Sequence, residues 1–255
     1  MSNPIQKEPM TLTTNVAQNG CDSGNFANSS PAQNRRFAPT PLPTKIKNPL
    51  ANADIPRDYL PSILNYMPLA NRSESALVIV DLQPKFLAPV VESGRVLGRA
   101  EFMIRLAGLM GVPILASEQY PVRMGGTDSR LQSVLSDIGS RIVEKMTFSC
   151  VGCDQFDEWL AEHSKTQIIL VGIETHICVN QTAHHLLQTG HEVFIAEDAM
   201  SARSELMHFN GIARMKAAGA VLAHTESIAY EWLRTAEDPQ FRQALDLVKA
   251  FGSHN

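Results

Sequence analysis

The chain has 255 residues, of which 44% are hydrophobic and 19% charged, with a formal net charge of −4. That is enough apolar material for one sizeable core, and no apolar run approaches the roughly 18 residues of a membrane span. Without a clustered basic face, nucleic acid is not an expected partner, nor is a membrane, and four cysteines do not make a disulfide framework.

Residues 1–60 hold eight of the fifteen prolines and eight asparagines, with no helical or alternating apolar period. Six basic residues (Lys7, Arg35, Arg36, Lys45, Lys47, Arg57) against four acidic ones (Glu8, Asp22, Asp54, Asp58) leave this stretch at +2. Such a segment cannot bury enough apolar surface to offset its ordering entropy. Residues 1–50 therefore read as a disordered N-terminal arm. Residues 51–74, with the more apolar stretch 55–69, read as a segment docking onto the domain formed by residues 75–255. Few cysteines and no secretory apolar core imply a reducing, cytoplasmic setting. A mitochondrial presequence is only weakly supported, because arginines are few and Glu8 and Asp22 intrude.

The first element of the domain is the apolar strand 76–80 (ALVIV), which ends at Asp81. A helical period follows over 96–110, closed by Gly111. Residues 113–116 form a second strand, and 142–143 a short third that reaches Lys145. After a helix over 156–161 comes a fourth strand, 168–171. A helix then runs from 177 to 188 and stops at Gly190, so Cys178 lies in its first turn. Residues 193–196 and 220–223 are strands five and six, separated by a helix over 204–218. Helices over 226–233 and 241–251 close the chain. Short apolar strands alternating with helices predict a three-layer α/β domain, its six-stranded, mostly parallel sheet covered by helices on both faces. In the order 3-2-1-4-5-6, strands 1 and 4 are neighbours where the winding reverses. Ligands bind beyond the carboxyl ends of the strands at such a point.

Asp81, Lys145 and Cys178 all fall at strand ends. Unpaired N–H groups and the helix dipole at a helix start are expected to lower the Cys178 thiol pKa and to suit it as a nucleophile. Asp81 is the candidate base, with Lys145 holding it in place; His176 is an alternative base beside the thiol. Gln83, Phe86, Gln119, Tyr120 and Phe148 come from the same loops and are expected to line a pocket for a small-molecule substrate. Cys150-Val-Gly-Cys153 has the spacing of a redox pair or half a zinc site, but no second such pair exists. His184 and His185 are adjacent on a helix and diverge. Strand 1 is followed by Asp81-Leu-Gln-Pro-Lys-Phe86 rather than glycines, which disfavours a nicotinamide cofactor.

These pieces occur in an ordered set: Val78-Ile-Val-Asp81-Leu-Gln83, Glu118-Gln-Tyr-Pro121, Val143-Glu-Lys145-Met-Thr-Phe148-Ser, Gly172-Ile-Glu-Thr-His-Ile-Cys178-Val and Glu197-Asp-Ala-Met-Ser-Ala-Arg203. The set resembles the isochorismatase-like cysteine hydrolases, and in particular their isochorismatase domain-containing subgroup. The resemblance implies an Asp81–Lys145–Cys178 triad and a cis peptide between Ile173 and Glu174. It also implies an oxyanion hole made by the backbone N–H groups of Glu174 and Cys178, an amidase-like reaction through a thioester, and a homo-oligomer. Ser117-Glu-Gln-Tyr-Pro121 lacks the Asp-x-His of the metal-binding members, so no metal and no cofactor are expected. Two other readings stand beside the hydrolase: a non-catalytic scaffold on the same fold, and a thiol-redox protein using Cys150 and Cys153.

Overall fold

The structure, a computed structural model, describes residues 68–252. The arm expected at 1–50, and the expected docking segment up to residue 67, lie outside the described residues. In chain order the elements are β1 (Ser75–Val80), α1 (Pro84–Leu87), α2 (Ser93–Met110), β2 (Ile114–Gln119), α3 (Pro121–Met124), α4 (Ser129–Ile138), β3 (Arg141–Lys145), α5 (Asp154–His163) and β4 (Gln167–Gly172). A π-helical turn (Thr175–Val179) then leads into α6 (Asn180–Gln188), followed by β5 (Glu192–Met200), α7 (Glu205–Ala217), β6 (Val221–Ala223), α8 (Thr225–Leu233) and α9 (Phe241–Gly252). The six strands form one sheet in the order β3-β2-β1-β4-β5-β6, and every pairing is parallel.

β1 and β4 are buried along their whole length because alternate residues feed two different cores. Leu77, Ile79, Ile169 and Val171 face one layer, with Phe102, Met103 and Leu106 of α2 and Trp232 of α8. Ala76, Val78, Val80, Ile168 and Leu170 face the other, with Phe156, Trp159, Val179, Ala183, Leu186 and Met215. Each large side chain withdrawn from water contributes about 1.5–3 kcal/mol. The apolar stripe of α8 (Ile228, Ala229, Trp232, Leu233) is spent on this core, and α9 adds Ala244 and a Phe102–Phe251 contact at 6.0 Å between ring centroids. Just before β1, Ala70 is buried, and its N–H donates to Glu231 at 2.6 Å. Among the described residues, no helix is long and apolar enough to cross a membrane.

Several elements differ from the sequence reading. α4 is an additional helix, capped by the Asp128 carboxylate on Arg130 N–H and burying Leu131, Val134 and Leu135. β2 runs to Gln119 and β3 to Lys145, so both residues belong to strands, in register with each other, rather than to loops. The Cys178 helix opens with a π turn, and its α-helical part starts only at Asn180.

Candidate active site

Asp81 follows the last residue of β1, and its backbone adopts the left-handed conformation (φ 52°) that Asp tolerates better than most residues. Its N–H donates to Ser117 O at 3.1 Å, and its C=O accepts Gln83 N–H at 2.8 Å. The carboxylate accepts the Ser117 hydroxyl on Oδ1 and the Lys145 ammonium on Oδ2, both at 2.7 Å. Lys145 ends β3, and its side chain is fully buried. Its Nζ also donates to Gln119 Oε1 (2.8 Å) and to the carbonyls of Phe148 (3.2 Å) and Thr147 (3.3 Å). The loop after β3 that supplies these carbonyls is held by Thr147 Oγ1 donating to Ser149 O and by Cys150 N–H donating to Thr182 Oγ1.

The third side chain arrives from β4. Gly172 (φ 124°) packs so near β1 that a Cβ there would lie 2.2 Å from Val80 O. Only glycine permits this approach. The next residue pairs with the same carbonyl, Ile173 N–H to Val80 O at 3.0 Å. The Ile173–Glu174 peptide is cis. Thr175 then ties the π turn to the loop after β5, donating its N–H (2.9 Å) and its hydroxyl (2.8 Å) to Ser201 O. His208 Nδ1 lies 2.9 Å from the same hydroxyl, and burial lowers the His208 pKa. Helix α7 packs on the turn through Gly211, where a Cβ would meet Thr175 O at 2.8 Å. The result is that Cys178, 8% exposed, sits beside Asp81, close enough for the carboxylate charge to act on the thiol.

The electrostatics reverse one expectation. Burial pushes the Cys178 thiol well above its ordinary range; the Asp81 charge pushes it further, and Lys145 only partly offsets them. The helix-start effect does not prevail at this closed position. Burial also raises Asp81, against the opposing pull of Lys145. The resting pair is therefore a protonated thiol beside a carboxylate of raised basicity.

The remaining sequence candidates divide. Among the described residues, the Gln83 side chain bonds only the backbone of Gln119 and Gly125, and the Gln119 side chain bonds Lys145 and Met146 O. Neither amide is left over for a substrate in this arrangement. Phe86 packs on the α2-side core, whereas Tyr120 and Phe148 are 37% and 56% exposed. The Glu174 N–H makes no hydrogen bond to another described residue, and its carboxylate accepts Arg203 N–H and Nε. His176 Nδ1 is buried without a partner among the described residues. Cys150 is buried and Cys153 half-buried, both as free thiols. Among the described residues no His, Cys, Asp or Glu cluster would hold a metal ion. Sequence reasoning overlooked Ser117 and Thr175. Ser117 was legible as a hydroxyl near the end of the second apolar run, and it lies within β2 opposite Val80 in the parallel register.

Comparison with known proteins places the fold. The isochorismatase domain matches residues 75–227. Isochorismatase domain-containing protein 2A of Mus musculus is 37% identical over 176 residues, 69% of this chain and 82% of that protein. The structure of the MAR1 ribonuclease from Caenorhabditis elegans is similar at a TM-score of 0.67 and 30% identity, covering 71% of this chain and 93% of that one. The YcaC gene product of Escherichia coli, described as an octameric hydrolase of unknown specificity, shares the fold at a TM-score of 0.67 and 21% identity, over 73% of this chain and 93% of that one. The six-stranded 3-2-1-4-5-6 sheet and these matches together make the chain a member of the isochorismatase family, with the hydrolase fold of that family.

Proposed function

We propose that the chain is a cysteine-dependent hydrolase of small amides or related acyl compounds, with Asp81, Lys145 and Cys178 as its catalytic residues. The carrying observation is the Asp81 carboxylate, buried between the Lys145 ammonium at 2.7 Å and the Cys178 thiol. A carboxylate of raised basicity beside a thiol is suited to take the thiol proton as the sulfur attacks a carbonyl carbon. The C–S bond forms as the carbonyl π bond opens to an oxyanion. The backbone N–H groups of Glu174 and Cys178 receive that oxyanion; one such donor typically contributes about 10²–10³ in rate. Asp81 then protonates the leaving nitrogen as the C–N bond breaks, which leaves a thioester on Cys178. Water, deprotonated by Asp81, adds to the thioester carbonyl. Collapse expels the thiolate, which recovers the proton from Asp81, and frees the acid. Lys145 stays charged throughout and fixes the carboxylate.

Tyr120 and Phe148 form apolar walls at the rim of this site. The amides of Gln83 and of Gln119, which it binds, act from behind it. The exposed side chains Val122, Met146, Leu206 and Phe209 suit a homo-oligomer better than the stripe Ile228, Ala229, Trp232 and Leu233 of α8, which is already buried. The name of the Caenorhabditis elegans relative supplies a second reading, cleavage of RNA. The net charge of −4 argues against it, since RNA binding draws on clustered basic residues. A panel of small amides and RNA oligonucleotides, tested on the full-length wild type and Cys178→Ala, decides between them. Amide hydrolysis that disappears in Cys178→Ala is the expected result; RNA cleavage without amide hydrolysis would reverse the assignment.

A further inference from the structure

Gln83 is fully buried, and its amide grips the backbone of Gln119 from both sides. Oε1 accepts the Gln119 N–H at 2.7 Å, and Nε2 donates to the Gln119 carbonyl at 3.1 Å. β1 has already ended at Val80, so a side chain continues the β1–β2 pairing beyond the strand. The same Nε2 donates to Gly125 O at 2.5 Å, which ties in the turn after α3. Gln119 is thereby held at its main chain. Its side chain is held as well, because Nε2 donates to Met146 O at 2.9 Å. With the donor end committed, the acceptor end must face Lys145, and Oε1 lies 2.8 Å from Nζ.

The Lys145 ammonium has three N–H groups and a side chain shut off from water. Of its four acceptors, two are backbone carbonyls at 3.2 and 3.3 Å, and one is Asp81. Gln119 is the only neutral side chain among them. A neutral acceptor secures the ammonium without competing with Asp81 for its charge, as a second carboxylate would. We propose that Gln119 is a positioning residue that locks the Lys145 ammonium against Asp81 and Cys178, with Gln83 anchoring Gln119 in turn. This inference rests on the hydrolase reading of those three side chains.

The test is the rate of Cys178 alkylation by acrylamide in the full-length chain, followed peptide by peptide between pH 7 and 9.5. Lys145→Met serves as the control, because loss of the ammonium raises the thiol and slows alkylation. Gln119→Met removes the acceptor at similar volume. Gln119→Asn keeps an amide but draws it back by one methylene, and gives a second chance of a folded protein. Each is expected to displace the alkylation profile to higher pH by about half a unit, roughly a threefold slowing at fixed pH, as the ammonium loses one of its constraints. A merely structural role would lower the melting temperature and leave the profile in place. If Lys145→Met displaces the profile and neither folded Gln119 variant does, the positioning role is wrong and the hydrolase reading stands. If Lys145→Met itself has no effect, the reading of the three side chains fails, and the inference fails with it.

Discussion

Gly172 and Val80 meet at the ends of β4 and β1 with no room for a side chain between them: a Cβ on Gly172 would sit 2.2 Å from Val80 O and 2.7 Å from Val80 N. Asp81 follows the one residue directly, and Cys178 follows the other after a single turn. This close approach at the centre of the sheet is what brings a carboxylate and a thiol together from positions 97 residues apart (178 less 81).

Gly172→Ala is accordingly expected to be severe. The new methyl meets backbone, which cannot swing aside, and the φ of 124° is unfavourable for any L side chain. A loss of about 3 kcal/mol or more is expected in urea unfolding, or failure to fold. A variant within 0.5 kcal/mol of wild type would mean that the strand ends are not so tightly apposed.

Asp81 and Lys145 act on the Cys178 thiol in opposite directions, so their removal should separate reactivity from turnover. Asp81→Asn takes away a negative charge that holds the thiol up. Acrylamide should then label Cys178 faster at pH 8, even though amide turnover is lost. Lys145→Met takes away the positive charge and should slow labelling. Labelling unchanged in both variants would show that neither charge acts on the sulfur.

How much of this could be read from the chain depended on whether one residue's surroundings lay within its own strand. β1 and β4 were plain because both faces are buried and the apolar runs are unbroken. The parallel sheet followed from the βα alternation, and under the expected order 3-2-1-4-5-6, which the structure has, strands 1 and 4 meet. α4 went unread although Leu131, Val134, Leu135 and Ile138 recur at helical spacing over its ten residues. Gln83 and Gln119 were expected in the substrate wall, since a polar residue at a strand end looks alike whether its amide meets a ligand or a neighbouring carbonyl. The direction of the Cys178 shift was reversed for the same reason. The helix start is visible in sequence, whereas burial and the Asp81 charge belong to the fold.

Cys150 carries a pH dependence of stability. Burial, with the Asp81 charge adding to it, pushes its thiol from 9.0 up to about 11. A raised folded-state pKa means that this contribution is fully present below the unfolded value and is lost as pH rises through the folded one. The window is therefore between about pH 9 and pH 11, and the most that can be lost is about 3 kcal/mol. Urea midpoints at pH 8 and pH 10.5 should fall further for wild type than for Cys150→Ala. Equal falls would show that Cys150 ionises in the folded state as it does in the unfolded chain.

The central claim is that Cys178 carries the acyl group, and mass spectrometry of the quenched reaction tests it most directly. Full-length protein mixed with a small amide that it hydrolyses, then acidified within the first turnovers, should gain the mass of the acyl group on the peptide containing Cys178. The adduct should be absent in Cys178→Ala, which should also release no acid. An acyl group on another residue, or undiminished hydrolysis by Cys178→Ala, would contradict the account.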